Sequence, residues 1–357
     1  MEQAKKIVCP DCEALDIEGV DRRDFLKGMS AAAAVAATGA WTTYATPRLH
    51  AAPTPQSAAE TAVQALYETL TAEQKGVVCF AWDYEDKSRG LLRNHVSNNW
   101  HITKPTVDSN FFTSDQKALI RKVYENVFNP DWVERIDKQL KDDTGGRPWG
   151  AAQNIAIFGT PGDGKFKFVM TGRHLTIRCD GNSEAHVPWG GPIFHGHAAS
   201  GFNEKVGHPG NVFWHQALEA NKVYQILSGK QQQQALVPRQ PAESAVEFRG
   251  SDGKFPGIPV SELSKDQREG VQKVLMSLIE PYRKEDRDEI LACLNKQGGL
   301  DKCSLAFYQE GDLGDDGEWD VWRLEGPAFV WYFRGTPHVH IWINIAEVPT
   351  VPLNARG

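Results

Sequence analysis

The residues best suited to chemistry in this chain are histidines placed two apart. Pro337-His338-Val339-His340-Ile341-Trp342-Ile343-Asn344-Ile345 alternates between two kinds of side chain. A strand sends successive side chains to opposite faces, so Val339, Ile341, Ile343 and Ile345 share an apolar face. His338, His340, Trp342 and Asn344 share the other. Two neutral imidazoles at i and i+2 can chelate one metal ion, and Trp342 beside them argues against a fully solvated face. Arg173-His174-Leu175-Thr176-Ile177-Arg178-Cys179 alternates in the same way. That pattern predicts a strand with His174, Thr176 and Arg178 on its polar side, and a third imidazole where two such faces meet. His195-Gly196-His197 and His208 lie in a glycine-rich stretch and are expected as supplementary ligands or lid residues. The competing reading is a set of ordinary surface histidines.

Copper or iron suits imidazole ligation and redox work, whereas zinc suits hydrolysis by lowering the pKa of bound water. A different chemistry would use the carboxylates Glu310, Asp312, Glu318 and Asp320 on a glycan. Gly311, Gly314 and Gly317 interrupt that run and give it the look of a solvated turn. His215 and Glu219 sit one helical turn apart, as a ligand pair or a surface ion pair. There is no Gly-x-Ser-x-Gly elbow and no His-Glu-x-x-His helix. Gly159–Lys165 fails as a phosphate loop, because Phe166 follows the lysine and no helix is expected there.

The elements that must position these groups follow from periodicity. Ser57-Ala58-Ala59-Glu60 reads as a capping box ahead of a helix with Val63, Leu66, Tyr67 and Leu70 on its apolar stripe. Val77 to Trp82 reads as a strand. Helices are expected over 114–128, 131–140, 213–227, 264–279 and 285–296. Strands are expected over 155–158, 166–179, 303–309, 319–324, 328–334 and 339–345. Pro238 to Pro259 reads mostly as loop. Helices gather in the middle and strands on either side, without crossover spacing. The expected class is α+β: a mainly antiparallel sheet with a helical middle section packed on it.

The amino terminus carries its own instruction. Arg22 and Arg23 are followed by Phe25, Leu26 and Lys27, then by an alanine-rich stretch too short and too weakly apolar to span a bilayer. A small-residue cleavage site follows near Ala51. This is the pattern of a twin-arginine export signal. It divides the chain into a signal region, 1–51, and a single α+β domain, 52–357. It implies the twin-arginine translocation machinery as a partner, a periplasmic or extracytoplasmic location, and no stable membrane span after cleavage. That route carries folded proteins, which often hold a cofactor. Cys9 and Cys12 precede the cleavage site, so they drop out of the cofactor case.

A net charge of −7, with no lysine/arginine cluster in 52–357, excludes a nucleic-acid partner. Of the four remaining cysteines, Cys293 and Cys303 are expected as a disulfide in an oxidising compartment, and Cys79 and Cys179 as buried thiols. Eleven tryptophans suit either core filling or a small-molecule or glycan cleft.

Several short signals recur in one order: Gly172-Arg173-His174-Leu175, Gly191-Pro192-Ile193-Phe194, Gly257-Ile258, Gly326-Pro327 and His338-Val339-His340. In these, residues from Ser57 to Ile345 resemble an uncharacterised bacterial family, domain of unknown function 3500. The resemblance implies that His174, His338 and His340 belong to the shared pattern, and it implies no known reaction. The family more often has a second histidine in place of Arg173. It often has an Arg-Asp pair where this chain has Ile343-Asn344. The first functional expectation is an exported metalloprotein with a histidine-rich site, working as a metal-dependent oxidoreductase. The alternatives are a non-catalytic ligand- or metal-binding protein and a carbohydrate-processing hydrolase.

Overall fold

The computed structural model of the chain describes residues 52–197, 211–314 and 316–351. The export-signal residues Arg22, Arg23, Phe25 and Leu26, the pair Cys9 and Cys12, and His208 lie outside them.

Four helices begin on a reciprocal cap, in which a Ser or Thr and a Gln three residues on each bond the other's backbone. They are α2 (Ala72–Val78), α3 (Ser114–Val127), α6 (Gly229–Ala235) and α7 (Lys265–Ile279). The other four described helices are α1 (Ala58–Thr69), α4 (Pro130–Asp143), α5 (Trp214–Gln225) and α8 (Lys284–Lys296). The expected cap at Ser57 is not made through its side chain. Glu60 is buried instead and takes both Arg283 Nη atoms on its two oxygens, at 2.8 and 2.7 Å. A buried guanidinium competes for that carboxylate more strongly than a solvated backbone amide does. The glutamine run 231–234 lies in α6. Val77 and Val78 end α2 and only Cys79–Phe80 is strand, because the Thr71 cap starts a helix just upstream.

The strands are β1 (Cys79–Phe80), β2 (Glu85–Asp86), β3 (Gly90–Leu91), β4 (Gln153–Gly159), β5 (Phe166–Gly172), β6 (Leu175–Cys179), β7 (Ile193–His197), β8 (Leu236–Val237), β9 (Ile258–Pro259), β10 (Ser304–Tyr308), β11 (Val321–Gly326), β12 (Phe329–Arg334) and β13 (Val339–Ile345). Eleven of them form one sheet in the order β1-β4-β5-β6-β7-β13-β12-β11-β10-β8, with β9 also on β10. Among the described strands only the short β1 and β8 pair in parallel. The class is α+β with a mainly antiparallel sheet, as the element pattern predicts.

Helices cover one face of the sheet. Val63 and Leu66 of α1, Ile120 and Val123 of α3, Ile136 of α4, and Val274 and Leu278 of α7 form one core with Leu175, Ile177, Ile193 and the odd residues of β13. The opposite face is covered by irregular chain. Val246 and Val96 pack on Phe194, Tyr332 and Trp342, while Leu92 and Ile102 pack on Phe158 and Val169. Both faces of β13 are therefore buried throughout. The four cysteines of 52–357 are free thiols, which corrects the expected Cys293–Cys303 bridge. The Cys293 thiol turns to the His186 carbonyl at 3.5 Å, whereas Cys303 packs beside Gly326 at the start of β10.

Candidate metal centre

The alternation along β13 places His338 and His340 on the loop-covered face, next to Phe194 of β7 and across from Arg334 of β12. His174 arrives differently from its expected strand position. Gly172 pairs with Leu175, so Arg173 and His174 are the two residues of a tight β5–β6 turn. His174 adopts φ 52, a left-handed conformation that costs a non-glycine residue about 1–2 kcal/mol. Three contacts hold it there. Its amide donates to Asn99 Oδ1 at 3.0 Å, its carbonyl accepts from Gly196 N at 3.0 Å, and its Nδ1 meets Asp143 Oδ2 at 2.6 Å. Strain that the surroundings over-determine in this way is a mark of a functional position.

The three rings converge through their Nε2 atoms. His338 Nε2 lies 3.2 Å from His174 Nε2 and 2.8 Å from His340 Nε2. Tetrahedral ligands about 2.0–2.1 Å from a metal stand roughly 3.3 Å apart, close to this spacing. The other ring nitrogens are oriented from behind. Asp143, the last residue of α4, takes His174 Nδ1, and Glu243, from the covering loop, takes His340 Nδ1 at 2.7 Å. A carboxylate only accepts, so each Nδ1 carries the proton and each Nε2 of these two rings presents a lone pair. His338 Nε2 faces both lone pairs and carries at most one proton. One proton cannot serve both contacts fully, whereas a cation among the three nitrogens satisfies all of them.

The electrostatics favour a neutral His340 and a charged Glu243. Burial holds His340 down to about 3, against the upward pull of Glu243. Burial raises Glu243, but its bond to His340 and the charge of Arg334 outweigh that, and it titrates below its ordinary range. Glu243 also accepts from Trp342 Nε1 at 3.2 Å and pairs with Arg334, while Arg173 Nε pairs with Asp143 at 3.1 Å. Gly196 fits between the rings: a Cβ there would stand 2.9 Å from His174 Cδ2 and 3.0 Å from His340 Cδ2.

The other candidates lie elsewhere. His195 and His197 stand opposite Ile341 and Val339 in the β7–β13 ladder, so they point to the helix-covered face, away from the three converging rings. His195 sits among Phe128, Phe213 and Tyr282, and burial pushes it down to about 3. The expectation that this pair supplements the site is corrected by the parity of β7, which gives the site face to Phe194 and Gly196. His215 bonds the Val212 carbonyl at 3.2 Å, and Glu219 pairs with Lys222. Asp320 is buried, not solvated, and accepts from Leu313 N at 2.6 Å, while Glu310 accepts from Gln240 N at 3.1 Å. Sequence reasoning missed Asp143, Glu243 and Gly196. Asp143 follows Lys141 and Asp142 on an amphipathic helix and Glu243 lies in irregular chain, so neither carries a local signal.

Fold and site together define an α+β protein whose sheet holds a buried group of three histidines with carboxylates behind two of them. The chain belongs to a family described as protein of unknown function (DUF3500), whose pattern matches residues 52–345. Residues 19–39 match the twin-arginine translocation pathway signal sequence, which makes this an exported protein acting outside the cytoplasm. No curated protein and no solved structure matches the chain. Among the described residues no helix is long and apolar enough to cross a membrane.

Proposed function

We propose that this protein is an exported metalloprotein holding one transition-metal ion on the Nε2 atoms of His174, His338 and His340. The observation that carries the reading is the convergence of three Nε2 atoms with two of the rings backed by carboxylates. Three imidazoles suit copper, iron and zinc. With copper or iron the centre is that of a metal-dependent oxidoreductase, and with zinc it is a hydrolytic or hydration centre. The twin-arginine signal supports this reading, since that route delivers proteins already folded around their cofactor.

Elemental analysis of the exported protein tests the proposal. Wild type is expected to carry a transition metal in proportion to chain, and His338→Ala to lose it while keeping its helical circular dichroism. Equal metal content in the two proteins, or none in wild type after exposure to copper, iron and zinc, removes the reading.

A non-catalytic metal-binding protein is the second reading. The burial of the rings favours it, with His174, His338 and His340 only 0%, 4% and 2% exposed. Turnover of any redox or hydrolytic substrate by the loaded protein, lost in His338→Ala, rejects it.

A further inference from the structure

The occupant of the remaining coordination position can be argued from charge and from one unused donor; the argument rests on the metal reading above. Among the described residues no fourth histidine, cysteine or carboxylate joins the three ligands. Asp143 and Glu243 are committed to the Nδ1 atoms and are balanced in charge by Arg173 and Arg334. A divalent ion held by these three imidazoles alone would keep its full charge in a largely dehydrated place, and buried uncompensated charge is costly. An anionic fourth ligand removes that cost.

Arg334 supplies the second observation. It stands directly across from His340 in the β12–β13 ladder. Its Nη1 bonds Glu243, and its Nη2 reaches the His338 carbonyl at 3.5 Å. Its Nε is buried and has no hydrogen-bond partner among the described residues. A cationic N–H donor left over beside two of the three ligands is suited to an acceptor that arrives with the substrate.

We infer that the centre takes a small anionic oxygen ligand, a carboxylate or oxyanion, on the metal's open position, and that Arg334 Nε donates a hydrogen bond to it. The substrate class is then a small carboxylate or a molecule presenting one. Arg334 acts as a specificity-determining residue, separate from its pairing with Glu243.

Cobalt(II) substitution of the full mature chain, titrated with formate, tests this inference. The visible d–d bands report the ligand set, and cobalt content is read on the same samples. Wild type is expected to bind cobalt and to show a saturable spectral change with formate. Arg334→Lys keeps the positive charge opposite Glu243 but lacks the Nε donor. Its formate midpoint is expected to rise about tenfold or more, since a hydrogen bond to a charged group is lost. Bands indifferent to formate in cobalt-loaded wild type overturn the inference and leave the metal reading standing. An unchanged midpoint in cobalt-loaded Arg334→Lys overturns the role of Nε. Failure of wild type to bind cobalt overturns the metal reading and this inference together.

Discussion

Gly196→Ala is expected to weaken metal binding without removing any ligand. The added Cβ would stand 2.9 Å from His174 Cδ2, 3.0 Å from His340 Cδ2 and 2.8 Å from the Val339 carbonyl oxygen. Carbon atoms in contact prefer about 3.5–4.0 Å, so each ring must retreat by roughly half an ångström. Metal–ligand distances tolerate only about ±0.2 Å. The strand backbone cannot absorb the change freely, because Gly196 N and O are held by the His174 carbonyl at 3.0 Å and Gln139 Nε2 at 2.6 Å. Overpacking of this kind costs about 1–3 kcal/mol of stability. Displacing supported ligands lowers metal affinity by about 10- to 100-fold. Competition with a chromophoric chelator measures the affinity, and urea unfolding of metal-free protein measures the stability. Gly76→Ala is the control: none of the described residues beyond its own helix backbone and chain neighbours lies within 4 Å of its Cβ position, inside α2. It is expected to stabilise the protein by about 0.5–1 kcal/mol. Wild-type metal affinity in Gly196→Ala would mean that the rings have room that this geometry denies them.

Three further outcomes follow from other parts of the molecule. Glu289 is buried, its Oε1 lacks a hydrogen-bond partner among the described residues, and burial next to Asp286 and Asp180 raises it to about 9. The folded state thus keeps a proton that the unfolded chain has released. Stability is expected to fall as pH rises from about 4.5 toward 9, and the gain from Glu289→Gln in urea midpoint should be larger at pH 8 than at pH 5. Equal gains at the two pH values count against that assignment. Glu60→Ala strands Arg283, whose side chain is 8% exposed, with Asp286 as its remaining partner. A loss of about 3–5 kcal/mol in chemical denaturation is expected, and a loss under 1 kcal/mol contradicts the buried pairing. Replacing Arg22 and Arg23 together by lysine is expected to leave full-length precursor in the cytoplasm on cell fractionation, whereas normal export would show that the motif is not read.

How legible the molecule is in its sequence depends on whether a residue's partners are near it in the chain. β13 is readable because its own alternation separates the helix-packed isoleucines from His338, His340 and Trp342. The Thr113–Gln116 and Ser264–Gln267 caps are local as well, and the helices they open match the expected spans closely. The Ser57–Glu60 box has the same spelling, but a guanidinium 223 residues away takes its glutamate. The run from Phe166 to Cys179 looks like one strand because its apolar pattern passes through Arg173-His174 without a turn residue between them. Only the pairing of Gly172 with Leu175 reveals the turn. His195 and His197 share a strand face, as spaced histidines should. Which side of the sheet that face meets depends on the register of β7 against β13, and no local pattern sets it. Asp143 and Glu243 reach their imidazoles from 31 and 97 residues away. Their contribution exists only once the sheet has formed.

X-ray absorption at the metal edge of the loaded protein reads the ligand set itself. A shell of three imidazole nitrogens at about 2.0–2.1 Å is expected, with the outer-ring scattering of histidine, reduced by one ligand in His338→Ala. A bound metal with no imidazole shell, or a shell unchanged in His338→Ala, would contradict it.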